Sequence, residues 1–268
     1  MPTLRTNDAE IYYETHGQGQ PFLFFSETAC DGQIWKLFQV PEFAKDHMVI
    51  VHDYRGTGRS SKPPMDYTTK MFCDDALALL DHLEVKDAIV LGHSMGGRVA
   101  QLLALDHPRR VKKLILASTG ASFPGGAGLP LPMCREMIEW GYERYVREHT
   151  IQVGFTAEFV RDQPERLEIF FRQRLENICP VEFYLRHVLS RQGHDTSARL
   201  KDIRMPTLVM VGELEGDPKV DMTHRMSSDI LAKGIPGAKF VMLAQQKHNY
   251  FASDPANVHK VIRDFLSS

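Results

Sequence analysis

The chain has 268 residues, of which 43% are hydrophobic and 25% charged, with a net charge of −2. That length carries one large α/β domain or two small ones, with ample material for a core. The lack of a basic surplus argues against nucleic acid or an anionic membrane as partner, and no apolar run reaches transmembrane length.

In chain order, "EIYYETHG" reads as a strand ending at Gly17, and "PFLFFS" as a second strand, apolar on both faces as buried parallel strands are. "IWKLFQVPEFAKD" predicts a helix and "HMVIVHDY" a strand. "TTKMFCDDALALLDHLEV" predicts a helix with Thr68 or Thr69 as N-cap. "DAIVLG" is a strand, "MGGRVAQLLALDHP" a helix stopped before Pro108, and "VKKLILAS" another strand. This βαβα alternation predicts a parallel sheet covered by helices. From about Gly120 to Arg204 the rhythm breaks into a Gly/Pro-rich loop and helical segments carrying Met133, Met137, Tyr145, Phe170, Phe171 and Tyr184. Strands resume at "MPTLVMVGE" and "AKFVMLA", and "DPANVHKVIRDFL" closes the chain as a helix. The expected organisation is a core over 1–120 and 205–268, with a helical cap over 121–204. The insertion begins after a strand's carboxyl end, where open α/β sheets bind ligands.

The opening "MPTLRTNDAEIYYE" has no apolar signal core, which predicts a cytoplasmic location. Cys30, Cys73, Cys134 and Cys179 form no CxxC pair or Cys/His cluster, so they are expected as reduced thiols without zinc.

The chemistry concentrates in "VLGHSMGGRVA", residues 90 to 100. It places Ser94 between Gly92 and Gly96 where a strand turns into a helix, the context of a nucleophile elbow. A serine needs a base, and the base needs an orienting carboxylate. His248, in "AQQKHNYF", follows the last strand and precedes the last helix. Glu215 and Asp217, in "ELEGDPKV", both follow the strand "PTLVMVG", and Glu215 is the favoured acid. Glu213 is expected to face away, because side chains alternate along a strand. His93 is expected to point elsewhere on the turn. His187 and His194, in the insertion, are open to ligand contact or to exposure.

With "GHSMGG", "VIVHDYRGTGRSSKP" in the place of a D-x-R-G-x-G-x-S loop, and "MPTLVMVGE" before the acid, the chain resembles the α/β-hydrolase superfamily over nearly its whole length. The resemblance implies the α/β-hydrolase fold: a mostly parallel central sheet flanked by helices, with a helical cap. It implies a serine hydrolase cleaving a small ester or lactone, or an amide, through an acyl-enzyme on Ser94. His248 would be the base and Glu215 its partner, with oxyanion donors from the amides of Thr28 and Met95 and no metal or organic cofactor. The expected partner is a small, partly apolar molecule, and the sequence leaves a homo-oligomer open.

Two positions depart from the family pattern. Glu215 stands where Asp is usual, and Ser26-Glu27 stand where His-Gly is usual, with Glu27 expected to be exposed. Asp31, Trp35 and the Arg-Gly-x-Gly loop resemble the enol-lactonase branch. The altered loop also keeps open carbon–carbon hydrolases, hydroxynitrile lyases and cofactor-free dioxygenases on the same scaffold, and a ligand receptor as a further alternative.

Overall fold

Alternating side chains explain the buried sheet. Along Gln20–Phe25, Phe22 and Phe24 enter one hydrophobic cluster while Leu23 and Phe25 enter the other, so both faces need cover. The computed structural model describes residues 2–6, 8–123, 128, 130–216 and 224–268.

The strands are β1 (Thr3–Arg5), β2 (Glu10–His16), β3 (Gln20–Phe25), β4 (His47–His52), β5 (Ala88–His93), β6 (Val111–Ala117), β7 (Thr207–Gly212) and β8 (Lys239–Leu243). They form one sheet in the order β1-β2-β4-β3-β5-β6-β7-β8. The β1–β2 and β2–β4 pairings are antiparallel and the rest are parallel. Every residue of β5 and β7 is buried. The sheet is the mostly parallel one expected, with the short β1 added at one edge.

The first half contributes α1 (Gln39–Phe43), α2 (Thr69–His82) and α3 (Met95–Asp106). Thr68 caps α2, its hydroxyl accepting from the Met71 amide at 3.2 Å. Between β6 and β7 come α4 (Leu131–Trp140), α5 (Tyr142–Gly154), α6 (Ala157–Asp162), α7 (Pro164–Glu176) and α8 (Val181–Gln192). Then follow α9 (His224–Gly234), α10 (Tyr250–Ser253) and α11 (Pro255–Leu266).

The helix expected after β3 is instead a 3-10 turn over Gly32–Leu37 followed by the short α1, broken at Phe38 where φ is −137°. Its start is fixed by Asp31, whose carboxylate accepts from the Gln33 amide at 3.2 Å. The helix α9 is an element the sequence pattern did not suggest. Among the described residues no helix is long and apolar enough to cross a membrane.

Candidate active site

The fully buried β5 ends at His93 and the chain reverses into α3 through Ser94, at φ 54° and ψ −116°. Such a conformation costs an ordinary residue about 1–3 kcal/mol and persists only where the surroundings impose it. Here the glycines impose it. A Cβ on Gly92 would lie 2.3 Å from the Gly96 carbonyl oxygen, and one on Gly96 would lie 2.4 Å from that of Phe25. A Cβ on Gly97 would lie 2.5 Å from Thr119 Cγ2. The Ser94 amide donates to the Ala117 carbonyl at 2.9 Å, and Thr119 Oγ1 donates to the Ser94 carbonyl at 2.6 Å.

The loops after β7 and β8 bring the other two groups together. Gly212 permits their approach, since a Cβ there would lie 2.5 Å from the Gln246 carbonyl oxygen. His248 Nδ1 lies 2.7 Å from Glu215 Oε2. Glu215 Oε1 accepts from the Gly212 amide at 2.8 Å and from the Ser118 hydroxyl. Burial alone would raise the Glu215 carboxyl, but the charge and hydrogen bond of His248, with His224 and Ser118, hold it at about 2. Burial would lower His248, yet Glu215 and then Glu27 more than offset this, against an opposing Arg191, and its pKa is raised. Nδ1–H therefore donates to Glu215, and Nε2 is left as the basic atom. Asp217 lies outside the described residues. Glu213 faces away as expected, accepting from the Gln245 amide at 2.9 Å.

Among the described residues Ser94 Oγ makes no hydrogen bond. Such bonds are often long in a free enzyme and tighten with substrate. The carboxylate near His248 Nε2 is that of Glu27, with Oε2 at 4.0 Å. This corrects the expectation that Glu27 is exposed: its side chain is only 16% accessible, and Arg174 of α7 draws it inward, with Nε 3.7 Å from Oε1. Arg174 also ties down the turn after β3, donating to the Ala29 carbonyl at 3.1 Å and the Thr28 carbonyl at 3.4 Å. Ser26 serves the same turn. Its hydroxyl accepts from the Trp35 indole at 2.9 Å, and its carbonyl accepts from Tyr54 at 3.2 Å. Thr28 and Met95 are buried, and neither amide donates to another described residue. At the first helical position of α3, Met95 has no intrahelical acceptor.

His248 lies between two further rings, with centroids 4.6 Å away at His93 and 4.5 Å away at His224. His93 thus packs on His248 rather than pointing elsewhere. Burial above all, then the His248 charge, holds its pKa well below the ordinary imidazole range. As the neutral form, its Nε2–H donates to the His248 carbonyl at 3.1 Å. The trios Glu27–His93–His248 and Glu215–His224–His248 each bring ligand-type atoms within 4.8 Å. Both depend on His248, whose Nδ1 is held by Glu215, and His93 Nε2 is taken by a carbonyl. His187 and His194 are buried and structural: His187 Nε2 donates to the Arg55 carbonyl at 2.9 Å, and His194 Nδ1 lies 3.0 Å from Thr69 Oγ1.

Over residues 31–255 the sequence matches the family described as the alpha/beta hydrolase fold. The chain belongs to the alpha/beta hydrolase family. It is 28% identical to a protein of Azorhizobium caulinodans named as a carbamate hydrolase, RutD, over 99% of this chain and 98% of that one. It is 31% identical to 3-oxoadipate enol-lactonase 2 of Acinetobacter baylyi over 78% of each chain. Among solved structures it resembles Est816, described as an N-acyl homoserine lactone degrading enzyme. That match has a TM-score of 0.84 and 29% identity, covering 98% of this chain and 100% of that one.

In this alpha/beta hydrolase the D-x-R-G-x-G-x-S loop is structural. Arg55 forks onto Asp75 with two bonds of 2.7 Å, and Asp53 accepts from the Gly32 and Arg59 amides at 2.8 Å each. A pocket opens beside Glu27 and His93, walled by Ile34, Trp35, Phe38, Phe170 and Phe251. Of the insertion's residues named above, Phe170 lines this pocket and most of the rest are core. Met137, Tyr145 and Tyr184 pack into a cluster with Ala29, and Phe171 packs with Phe155 and Leu167.

Glu27 yields a pH prediction. His248 must be neutral to act as a base, and the groups acting on it are Glu215, Glu27, Arg191, His93 and His224. Removing the Glu27 charge destabilises the imidazolium, so Glu27→Gln is expected to move the acid limb of kcat/KM to lower pH by on the order of one unit. A limb that stays put or moves upward means that Glu27 does not act on His248.

Proposed function

We propose that this chain hydrolyses a small carboxylic ester or lactone through an acyl-enzyme on Ser94. The carrying observation is the 2.7 Å bond between His248 Nδ1 and Glu215, with the His248 ring 4.6 Å from that of His93, the residue before a serine held at φ 54°. Ser94 Oγ attacks the carbonyl carbon and His248 Nε2 takes its proton. The amides of Thr28 and Met95 donate to the developing oxyanion. The tetrahedral intermediate collapses, the leaving oxygen takes the proton from His248, and the acyl group stays on Ser94. Water, deprotonated by the same imidazole, repeats the attack and releases the acid. Glu215 holds the tautomer and stabilises the imidazolium. Residues 121–204 act as a cap, and the pocket beside Glu27 favours a partly apolar substrate. The similarity to a relative named for carbamate hydrolysis adds aryl carbamates as a second substrate class for the same residues.

A fluorophosphonate probe tests this reading. Intact mass spectrometry is expected to show one adduct per chain, mapping to Ser94, and loss of turnover on p-nitrophenyl esters, lactones and aryl carbamates in step with labelling. No adduct and no turnover on any of the three classes overturns it.

A further inference from the structure

Buried arginines elsewhere in this fold are paired. Arg55 forks onto Asp75 and also meets Asp8 at 2.9 Å, and Arg174 lies beside Glu27. Arg191 and Arg98 are different. Arg191, half-buried on α8, donates from Nη1 to the Thr28 hydroxyl at 3.2 Å, and its Nε, like that of Arg174, is buried without a hydrogen-bond partner. Arg98, on α3, is 8% exposed, and its Nη1 is likewise buried and unpartnered. Among the described residues no carboxylate forms an ion pair with either. The nearby acids are committed elsewhere: Glu215 to His248, Ser118 and Gly212, Glu27 to Arg174, and Asp195 to the Ser197 amide. Burial, then the Arg191 charge, pulls Arg98 down to about 9, and Asp195 only partly opposes this. A desolvated cation without a counter-charge is costly, and a second cation beside it adds repulsion. A bound anion offsets both costs, and a planar guanidinium fork suits a carboxylate.

We propose that Arg191, backed by Arg98, is a carboxylate-binding subsite beside the Thr28 turn, so that the substrate is an ester or lactone bearing a free carboxylate. The inference rests on the hydrolase reading for its placement. With the scissile carbonyl between Ser94 and the amides of Thr28 and Met95, Arg191 is the cation bonded to the Thr28 turn that an acid tail would meet. A neutral ester of equal length lacks this anchor.

The test compares mono-p-nitrophenyl glutarate and adipate with p-nitrophenyl pentanoate and hexanoate. The native protein is expected to favour a monoanionic ester by about tenfold or more in kcat/KM, and Arg191→Gln to remove that preference, with Arg191→Lys intermediate. A general structural role for Arg191 would lower both ester classes together and leave the ratio intact. A native ratio near one, or a ratio unchanged in Arg191→Gln, overturns the subsite while the hydrolase reading stands. If the native protein cleaves none of these esters, calorimetry with glutarate and adipate on Ser94→Ala and on Ser94→Ala/Arg191→Gln decides separately. Binding to the first and not the second supports the subsite although hydrolysis has failed. No binding to either, or equal binding to both, overturns it.

Discussion

Replacing Ser94 by alanine is expected to lower kcat on the best ester or lactone by about 10⁵–10⁶-fold, and Glu215→Gln by about 10³–10⁴-fold, with both variants folded. The first loss is that of the proposed bond-forming atom. The second follows from the hydrogen bonds around one carboxylate. Glu215 Oε1 accepts from the Gly212 amide at 2.8 Å and from Ser118, while Oε2 accepts from His248 Nδ1 at 2.7 Å. Glutamine has a single acceptor oxygen. The two donors on the Oε1 side hold that oxygen, so the amide NH₂ faces His248 Nδ1. The imidazole must then accept there and carry its proton on Nε2, the tautomer that cannot take a proton from Ser94. Steady-state rates, with circular dichroism to verify the fold, check this. Retention of more than about a tenth of kcat in Glu215→Gln would move the orienting role elsewhere, with Asp217 the next residue to test.

The same carboxylate gives a stability expectation with a definite sign. Its folded pKa of about 2 lies below the ordinary 4.5. Its contribution is therefore complete above the unfolded value and is lost as pH falls through that window towards 2. Acid unfolding of the native protein is expected to be steeper than that of Glu215→Gln between these limits.

Much of this was legible in the sequence because the responsible forces are local. Buried parallel strands must be apolar on both faces, so "PFLFFS", "DAIVLG" and "PTLVMVG" announce themselves. A serine at positive φ needs glycines around it, so the elbow is visible too. What stayed hidden depends on partners far along the chain. Glu27 looks like a loop carboxylate until Arg174 of α7 turns it inward. Arg191 looks like a helix-surface cation until α8 lies over Thr28. Ser118 and Thr119 look like strand-end polar residues, but one hydroxyl holds Glu215 and the other holds the Ser94 carbonyl. His93 and His224 acquire their place only when two loops close on His248. The 3-10 turn before α1 escaped for a related reason: its apolar spacing fits a helix, while its geometry follows the Trp35 bond to Ser26.

Gly96→Ala tests how tightly the elbow is built. Helix propensity alone predicts stabilisation by about 1 kcal/mol, since alanine replaces glycine inside α3. Sterics predict the opposite and should win. The new Cβ would lie 2.4 Å from the Phe25 carbonyl oxygen and 2.6 Å from the Ser26 carbonyl oxygen. Both are backbone atoms at the end of β3, which is fixed between β4 and β5. Relief requires α3 to retreat from the sheet. That retreat carries the Met95 amide with it and strains the turn bearing Thr28, the two proposed oxyanion donors. A displacement on the order of an ångström costs about 100-fold in rate. The expected result is a loss of about 2–4 kcal/mol, read as a fall in Tm of about 2–4 °C per kcal/mol at this chain length. A fall in kcat of about 100-fold should accompany it. Gly193→Ala is the control: its nearest contact is Leu189 O at 3.7 Å, its φ is −77°, and its effect should stay within about 0.5 kcal/mol. If Gly96→Ala matches the control in both Tm and kcat, the close packing of α3 on β3 is not what holds Ser94 in its strained conformation.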